Sequence, residues 1–229
     1  MKRALACAAA VLTLAACGGG QAPHVDATKV LRDSAVAMAQ LKTVTASLKM
    51  TKGTISLQGF ALASAKTSVR LPSDSDTVYT VKEQDVSIAI EVVISGGQTY
   101  LHVPFSPFQL LTPAQAAALP DMAKLFDPST GLPAVVPAGS KPAYVSTDQV
   151  GGTNAYQVST SYTPDQVHAL LATLSSSGPV AAKVWVGVSD HLIRKAVLDG
   201  AFGDGGKEAA VEVDITGFNG AVVITSPSP

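Results

Sequence analysis

Val44, Ala46, Leu48 and Met50 alternate with Thr45, Ser47, Lys49 and Thr51. This two-residue repeat belongs to a strand with one dry and one wet face. The pattern returns in "TISLQGFALA", "AKTSVRL", "TVYTVK", "DVSIAIEVVI" and "QTYLHV", with breaks at Lys52-Gly53, Pro72 to Asp76 and Gly96-Gly97. Strands joined by connections this short pair with their sequence neighbours as an antiparallel meander, because a parallel crossover needs a dozen or more residues.

Before the strands, Asp26 to Leu41 has apolar residues at 27, 30, 31, 35, 38 and 41, which is helical spacing. After them, a proline-rich stretch from Pro104 to Pro142 carries helical fragments at Pro113 to Leu119, capped by Thr112, and at Met122 to Phe126. It reads as a cover laid over the sheet. Pairing resumes at "AYVSTDQV" and "NAYQVSTSY". Thr163-Pro164-Asp165-Gln166 then starts a helix running to about Leu174, with a cap, a proline at its first position and a capping-box glutamine. "VAAKVWVGV", "HLIRKAVLDGAF", "KEAAVEVDITGF" and a last extended piece, "AVVIT", close the chain. About eleven strands with three or four helices predict one α+β domain over residues 26–225, followed by a tail at 226–229.

The first residues are of another kind. Lys2 and Arg3 precede an uncharged run, Ala4 to Ala16, and Cys17 follows. The run is shorter than the roughly 20 residues of a spanning helix and reads as a secretion leader over residues 1–16. "LAAC" has the order of a bacterial lipobox, in which the cysteine sulfur is alkylated by diacylglycerol and becomes the new N-terminus. The other cysteine, Cys7, has almost no apolar run before it. Residues 17–25 then form a lipidated tether, of which Gly18 to His24 reaches at most about 25 Å. The anchored domain works at the outer face of the cytoplasmic membrane, because two or more acyl chains hold a protein there stably.

Both cysteines lie in or at the end of the leader, so the body has no disulfide and no thiolate chemistry. A net charge of -1 gives no electrostatic case for nucleic acid. His24, His102, His168 and His191 share no metal-ligand spacing, and no Gly-x-Ser-x-Gly elbow presents a serine. Gly203 to Lys207 lacks the hydroxyl residue of a phosphate loop and reads as a hairpin turn. Asp74 and Asp76 read as a solvated turn in place of a calcium loop, Trp185 as packing, and Arg194-Lys195 as a solvated strand pair that could also touch an anionic headgroup. No catalytic residue, metal or cofactor is expected. A half-open sheet with a cover and few aromatics, and small inward candidates at Ala46, Gly59, Ala61 and Ala89, suits the enclosure of apolar cargo. Ordinary tight packing is the rival.

The order and spacing of the lipobox, "TVTASLKMT", "QTYLHVPFSPF", "FDPSTGLPAVV", "VGGTNAYQVSTSY", "AKVWVGVSDHLIRKAVL" and "VDITGFNGAVVI" resemble the LppX/LprA/LprF/LprG lipoproteins of mycobacteria and related actinobacteria. The resemblance covers essentially the whole mature domain. It implies a curved antiparallel half-barrel with helices on its concave face around an apolar cavity. It also implies a carrier taking acylated lipids or glycolipids from the cytoplasmic membrane outward. Pro133 and Pro137 interrupt the cover, where a smooth helix would otherwise run. With tails entering between the sheet and the Phe105 to Val136 cover, the expected lining is Leu48, Ile88, Ile90, Val92, Phe105, Phe108, Leu125, Phe126, Leu170 and Leu174. Expected partners are the lipid, the membrane through Cys17 and a possible membrane transporter, with the protein itself a monomer. The alternatives are an adaptor that docks on such a transporter and carries nothing, or an envelope lipid hydrolase.

Overall fold

The computed structural model describes residues 25–84, 86–170 and 174–228. The leader, Cys17 and most of the tether lie outside the described residues. Helix α1 (Ala27–Met38) begins where the Asp26 carboxylate accepts the Lys29 N–H at 3.0 Å. It buries Ala27, Val30, Leu31, Ser34 and Met38 along one side. The buried Ser34 hydroxyl donates to the Leu31 carbonyl at 2.8 Å, and Lys29 pairs with Asp33 on the wet side.

The first strands are β1 (Thr43–Lys52), β2 (Ser56–Leu57), β3 (Phe60–Arg70), β4 (Asp74–Glu83), β5 (Val86–Ser95), β6 (Gln98–His102) and β7 (Gln109–Leu110). The cover follows as α2 (Pro113–Ala116), a 3-10 turn at Lys124–Phe126, α3 (Leu132–Val135) and a second 3-10 turn at Val136–Ala138. Then come β8 (Ser140–Val150), β9 (Thr153–Tyr162), α4 (Pro164–Leu170), β10 (Val180–Gly187), β11 (Ile193–Gly200) and β12 (Ala209–Thr216). The expected capping box at Thr163 forms, and the cap expected at Thr112 proves to be a second one. Thr112 and Gln115 bond reciprocally at 2.9 and 3.4 Å, and Thr163 and Gln166 do so at 2.8 and 3.4 Å.

All pairings are antiparallel, in the order β7-β6-β5-β4-β3-β1-β12-β11-β10-β9-β8, with β2 beside β3. The chain enters at the centre on β1 and meanders outward to β7. It crosses the concave face as the cover and meanders back from β8 to β12. Strand β12 finally pairs with β1, Leu48 opposite Val213. The sheet is a curved half-barrel, open between its edges β7 and β8. Edge β8 carries two register breaks and Pro142, which blunt it against further pairing.

Two expectations change. "TISLQGFALA" is a hairpin, turning through Gln58 and Gly59 at φ 53° and 87°, the paired left-handed geometry of a tight two-residue turn. "AKTSVRL" continues the same strand, β3. "AVVIT" joins no strand among the described residues: Val222 and Ile224 pack on Val93, Tyr100 and Phe108, on the side of β5 and β6 away from the cover. Asn219 ties this segment down, accepting the Lys42 N–H at 2.8 Å and donating its own N–H to the Thr43 carbonyl. Of the expected helix at Thr163 to Leu174, α4 is described to Leu170.

Candidate functional site

Alternation along each strand decides which side chains face the cover. Register then puts Ala46, Thr67 and Thr77 in one row, and Leu48, Ala65, Tyr79 and Ile90 in the next. On the other side of β1, Ala196 stands opposite Val213 and Leu198 opposite Val211. Above these rows the cover supplies Met122, Leu125, Phe126, Leu132, Val135 and Val136, and α4 supplies Val167 and Leu170. The cover stays raised above β11 and β12, so the two surfaces bound a cavity of about 240 Å³. That exceeds the roughly 150 Å³ in which an apolar protein cavity can hold a benzene ring.

The wall contains no Asp, Glu, His, Lys or Arg among the described residues. Its buried hydroxyls serve the cover and the sheet. Tyr162 donates to the Val136 carbonyl at 3.1 Å and Tyr79 to the Pro120 carbonyl at 3.4 Å. Burial pushes both phenols above their usual range, with the Asp121 charge adding to the effect at Tyr79. Thr67 and Thr77 share a hydrogen bond at 2.7 Å. The cavity meets solvent beside Ser56, Gln58 and Ala118, the exposed members of its wall. There Gln58 Nε2 donates to the Ala118 carbonyl at 3.2 Å, and Asp204 accepts from the Ser56 N–H and hydroxyl at 2.8 and 2.7 Å.

Gly131 explains how the cover folds tightly around its own turns. A Cβ there would stand 2.5 Å from the Leu125 carbonyl oxygen, so a side chain would push α3 off Leu125. The loop before it is wound on Asp127, which accepts from Ser129 and Thr130 and is held down to about 2. The Ser129 hydroxyl bond is the largest cause.

Five of the ten residues expected to line the cavity do so: Leu48, Leu125, Phe126, Leu170 and Leu174. Ile88, Ile90 and Val92 face the same side but lie in a neighbouring packed cluster under Leu57 and Leu119. Their face was legible from alternation; their lateral distance from the hollow was not. Phe105 is 108% exposed, at the tip of the β6–β7 connection. Phe108 turns to the far side of the sheet and stacks on His102 at 4.9 Å. The cover therefore begins after β7, and Phe105 and Phe108 are no part of it, because the chain first completes an edge strand. Ala89 is exposed and Gly59 forms a turn, so neither lends inward space. Missing from the expectation were Val184, Ile193, Ala196, Leu198, Val211, Val213 and Ile215. Alternation in "VAAKVWVGV" and "AAVEVDI" carried the signal for several of them.

The remaining chemical candidates are held in structural pairs. Asp74 pairs with Arg70 at 2.6 Å, Arg194 with Asp190, and Lys195 with Glu212 at 2.7 Å. Trp185 donates to Asp148 at 2.8 Å, with the Lys195 ammonium 5.7 Å from its ring centre. Burial, with Glu91 nearby, raises Asp76. Among the described residues no three His, Cys, Asp or Glu side chains converge to hold a metal ion, and no helix is long and apolar enough to cross a membrane.

The fold has known counterparts. The crystal structure of LprF from Mycobacterium bovis superposes with a TM-score of 0.70 at 18% identity, covering 89% of this chain and 97% of that one. Lipoprotein LppX of Mycobacterium tuberculosis gives 0.63 at 16% identity, covering 86% and 97%. By sequence, the chain is 26% identical over 137 residues to the lipoarabinomannan carrier protein LprG of Mycolicibacterium smegmatis. That match spans 59% of this chain and 55% of the relative. The model of the LppX_LprAFG lipoproteins matches residues 26–224, so this chain belongs to the LppX_LprAFG lipoprotein family.

Proposed function

We propose that the protein carries acylated lipids or glycolipids in this cavity, from the cytoplasmic membrane toward the outer envelope, without catalysing a reaction on them. The observation that supports it most directly is a wall with no Asp, Glu, His, Lys or Arg among the described residues, around an unfilled interior. Each exposed methylene costs about 0.8 kcal/mol in water, so a sixteen-carbon tail costs on the order of 10 kcal/mol. A dry hollow removes that penalty with no chemistry. The likeness to a protein named as a lipoarabinomannan carrier supports a glycolipid as the cargo class. The adaptor reading leaves the hollow without a use, and the hydrolase reading finds no Asp, Glu, His, Lys or Arg among the described residues of its wall to activate a nucleophile.

In this reading residues 1–16 are removed, acylated Cys17 anchors the chain at the outer face of the membrane, and 17–25 tether the domain. Cys17→Ala should abolish incorporation of labelled palmitate and release the protein from membranes. The cargo test uses protein expressed without its leader, with bound lipid identified by mass spectrometry. Ala196→Trp, which fills space between β11 and the cover, should reduce co-purified lipid at least tenfold while the protein stays folded. Wild-type protein that co-purifies with no lipid and takes up none from vesicles would overturn the proposal.

A further inference from the structure

We propose that Thr67 forms a hydrogen-bonding subsite inside the cavity for an uncharged ester carbonyl carried within the cargo's hydrocarbon; this rests on the lipid-carrier reading above. Thr67 on β3 and Thr77 on β4 face each other across the sheet, 3% and 1% exposed, with hydroxyl oxygens 2.7 Å apart. Two hydroxyls bring two protons, and their mutual contact uses one. Neither makes another hydrogen bond among the described residues. Thr67 lines the cavity and Thr77 does not. With Thr77 donating, the Thr67 proton is left facing the hollow, where a donor without an acceptor is unfavourable.

Among the described residues no other deep side chain on this face offers such a proton; Ser47 alternates to the opposite face of β1 from Ala46 and Leu48. The protons of Tyr79 and Tyr162 are already given to the Pro120 and Val136 carbonyls, and Ser56 and Gln58 are engaged at the exposed mouth. What can answer it follows from the rest of the wall. With no cationic side chain there among the described residues, an ionised carboxylate would be buried without a counter-charge, which excludes the ionised head group of a free fatty acid. The acceptor must be neutral and must arrive on a molecule that is otherwise hydrocarbon. An acyl ester carbonyl meets both conditions. From Ala61, which pairs with Ser56 at the mouth, β3 advances about 20 Å to reach Thr67. The subsite therefore reads an ester among the chains, well away from the head group.

The experiment offers delipidated leaderless protein equal amounts of hexadecyl hexadecanoate and dihexadecyl ether in mixed micelles. The retained ratio is read by mass spectrometry. Wild type should hold the ester in about fivefold excess, the worth of one net hydrogen bond. In Thr67→Val/Thr77→Val both hydroxyls go at once, so the sheet is left without an orphan. Its ratio should fall to about one at unchanged total loading, and Thr67→Ser should restore the preference. If the double variant does not fold, Thr67→Val alone supplies the same reading. A wild-type ratio near one, or an unchanged ratio in the valine variants, overturns the subsite and leaves the carrier function standing. Wild type that retains neither probe overturns the subsite, and overturns the carrier reading with it where the protein also co-purifies with no lipid and takes up none from vesicles.

Discussion

On β4 and β5, Tyr79, Val81, Ile90 and Val92 are almost wholly shielded, pressed under Leu57 of the β2–β3 hairpin and Leu119 of the cover. On β11 and β12, Ala196, Leu198 and Val213 occupy equally central strands and the same concave face, yet remain half-buried. The two wings share one alternating pattern. They differ in what lies above: a hairpin folded directly onto one, a cover of short helices raised over the other. Tyr79 stands at the divide, belonging to the packed cluster while also lining the hollow. Hollowness here comes from the height of the lid, and the strands beneath are ordinary.

The comparison breaks most readily at the lid. Phe126, 2% exposed, ties the cover to the interior, and Phe126→Ala should cost about 3–5 kcal/mol in denaturant unfolding. A much smaller loss would mean that the lid settles into the space Phe126 leaves and is not held at a fixed height. Next comes a pair of tryptophans. Ile90→Trp overpacks the solid wing and should destabilise by about 1–3 kcal/mol while lipid loading is unchanged. Ala196→Trp should do the reverse, lowering loading with the unfolding midpoint near wild type. Identical behaviour of the two variants would mean that the wings are not distinct.

Titration sharpens the same contrast from the interior. Burial raises Tyr79 and Tyr162, so they stay neutral in the fold where the unfolded phenols ionise near pH 10. Their contribution is complete below that pH and is lost as pH rises above it. Melting temperature should fall above about pH 10, and less steeply in Tyr79→Phe/Tyr162→Phe. The smallest effect belongs to the cover's outer loop. Asp127, lowered to about 2, contributes stability that is complete above the unfolded carboxyl value near 4 and fades as pH falls toward 2. The melting difference between wild type and Asp127→Asn should be constant above pH 4 and shrink toward pH 2.

Much of this was legible in the chain itself. Val44 to Thr51 announces its own inward and outward sides, because a two-residue repeat has only two phases. Thr112, and Thr163 with Gln166, mark helix starts, because caps are local chemistry. The absence of cysteine after Cys17 bars disulfides from the body, and the proline-rich middle announces a cover. Leu125 and Phe126 could be placed in the site because they lie on the cover, and Leu170 because it ends the helix after β9.

Only the tertiary structure decided where the hollow lies. Ile90 and Ala196 are equivalent to any reading of alternation, and what separates them is an element distant in sequence, Leu119 over one and α3 and α4 bridging above the other. Phe105 points to solvent because the chain completes β7 before it turns across the sheet. Thr67 becomes part of the site because β4 sets Thr77 against it. Faces are a local property of the backbone, but an empty volume is defined by surfaces that meet only after the whole chain has folded.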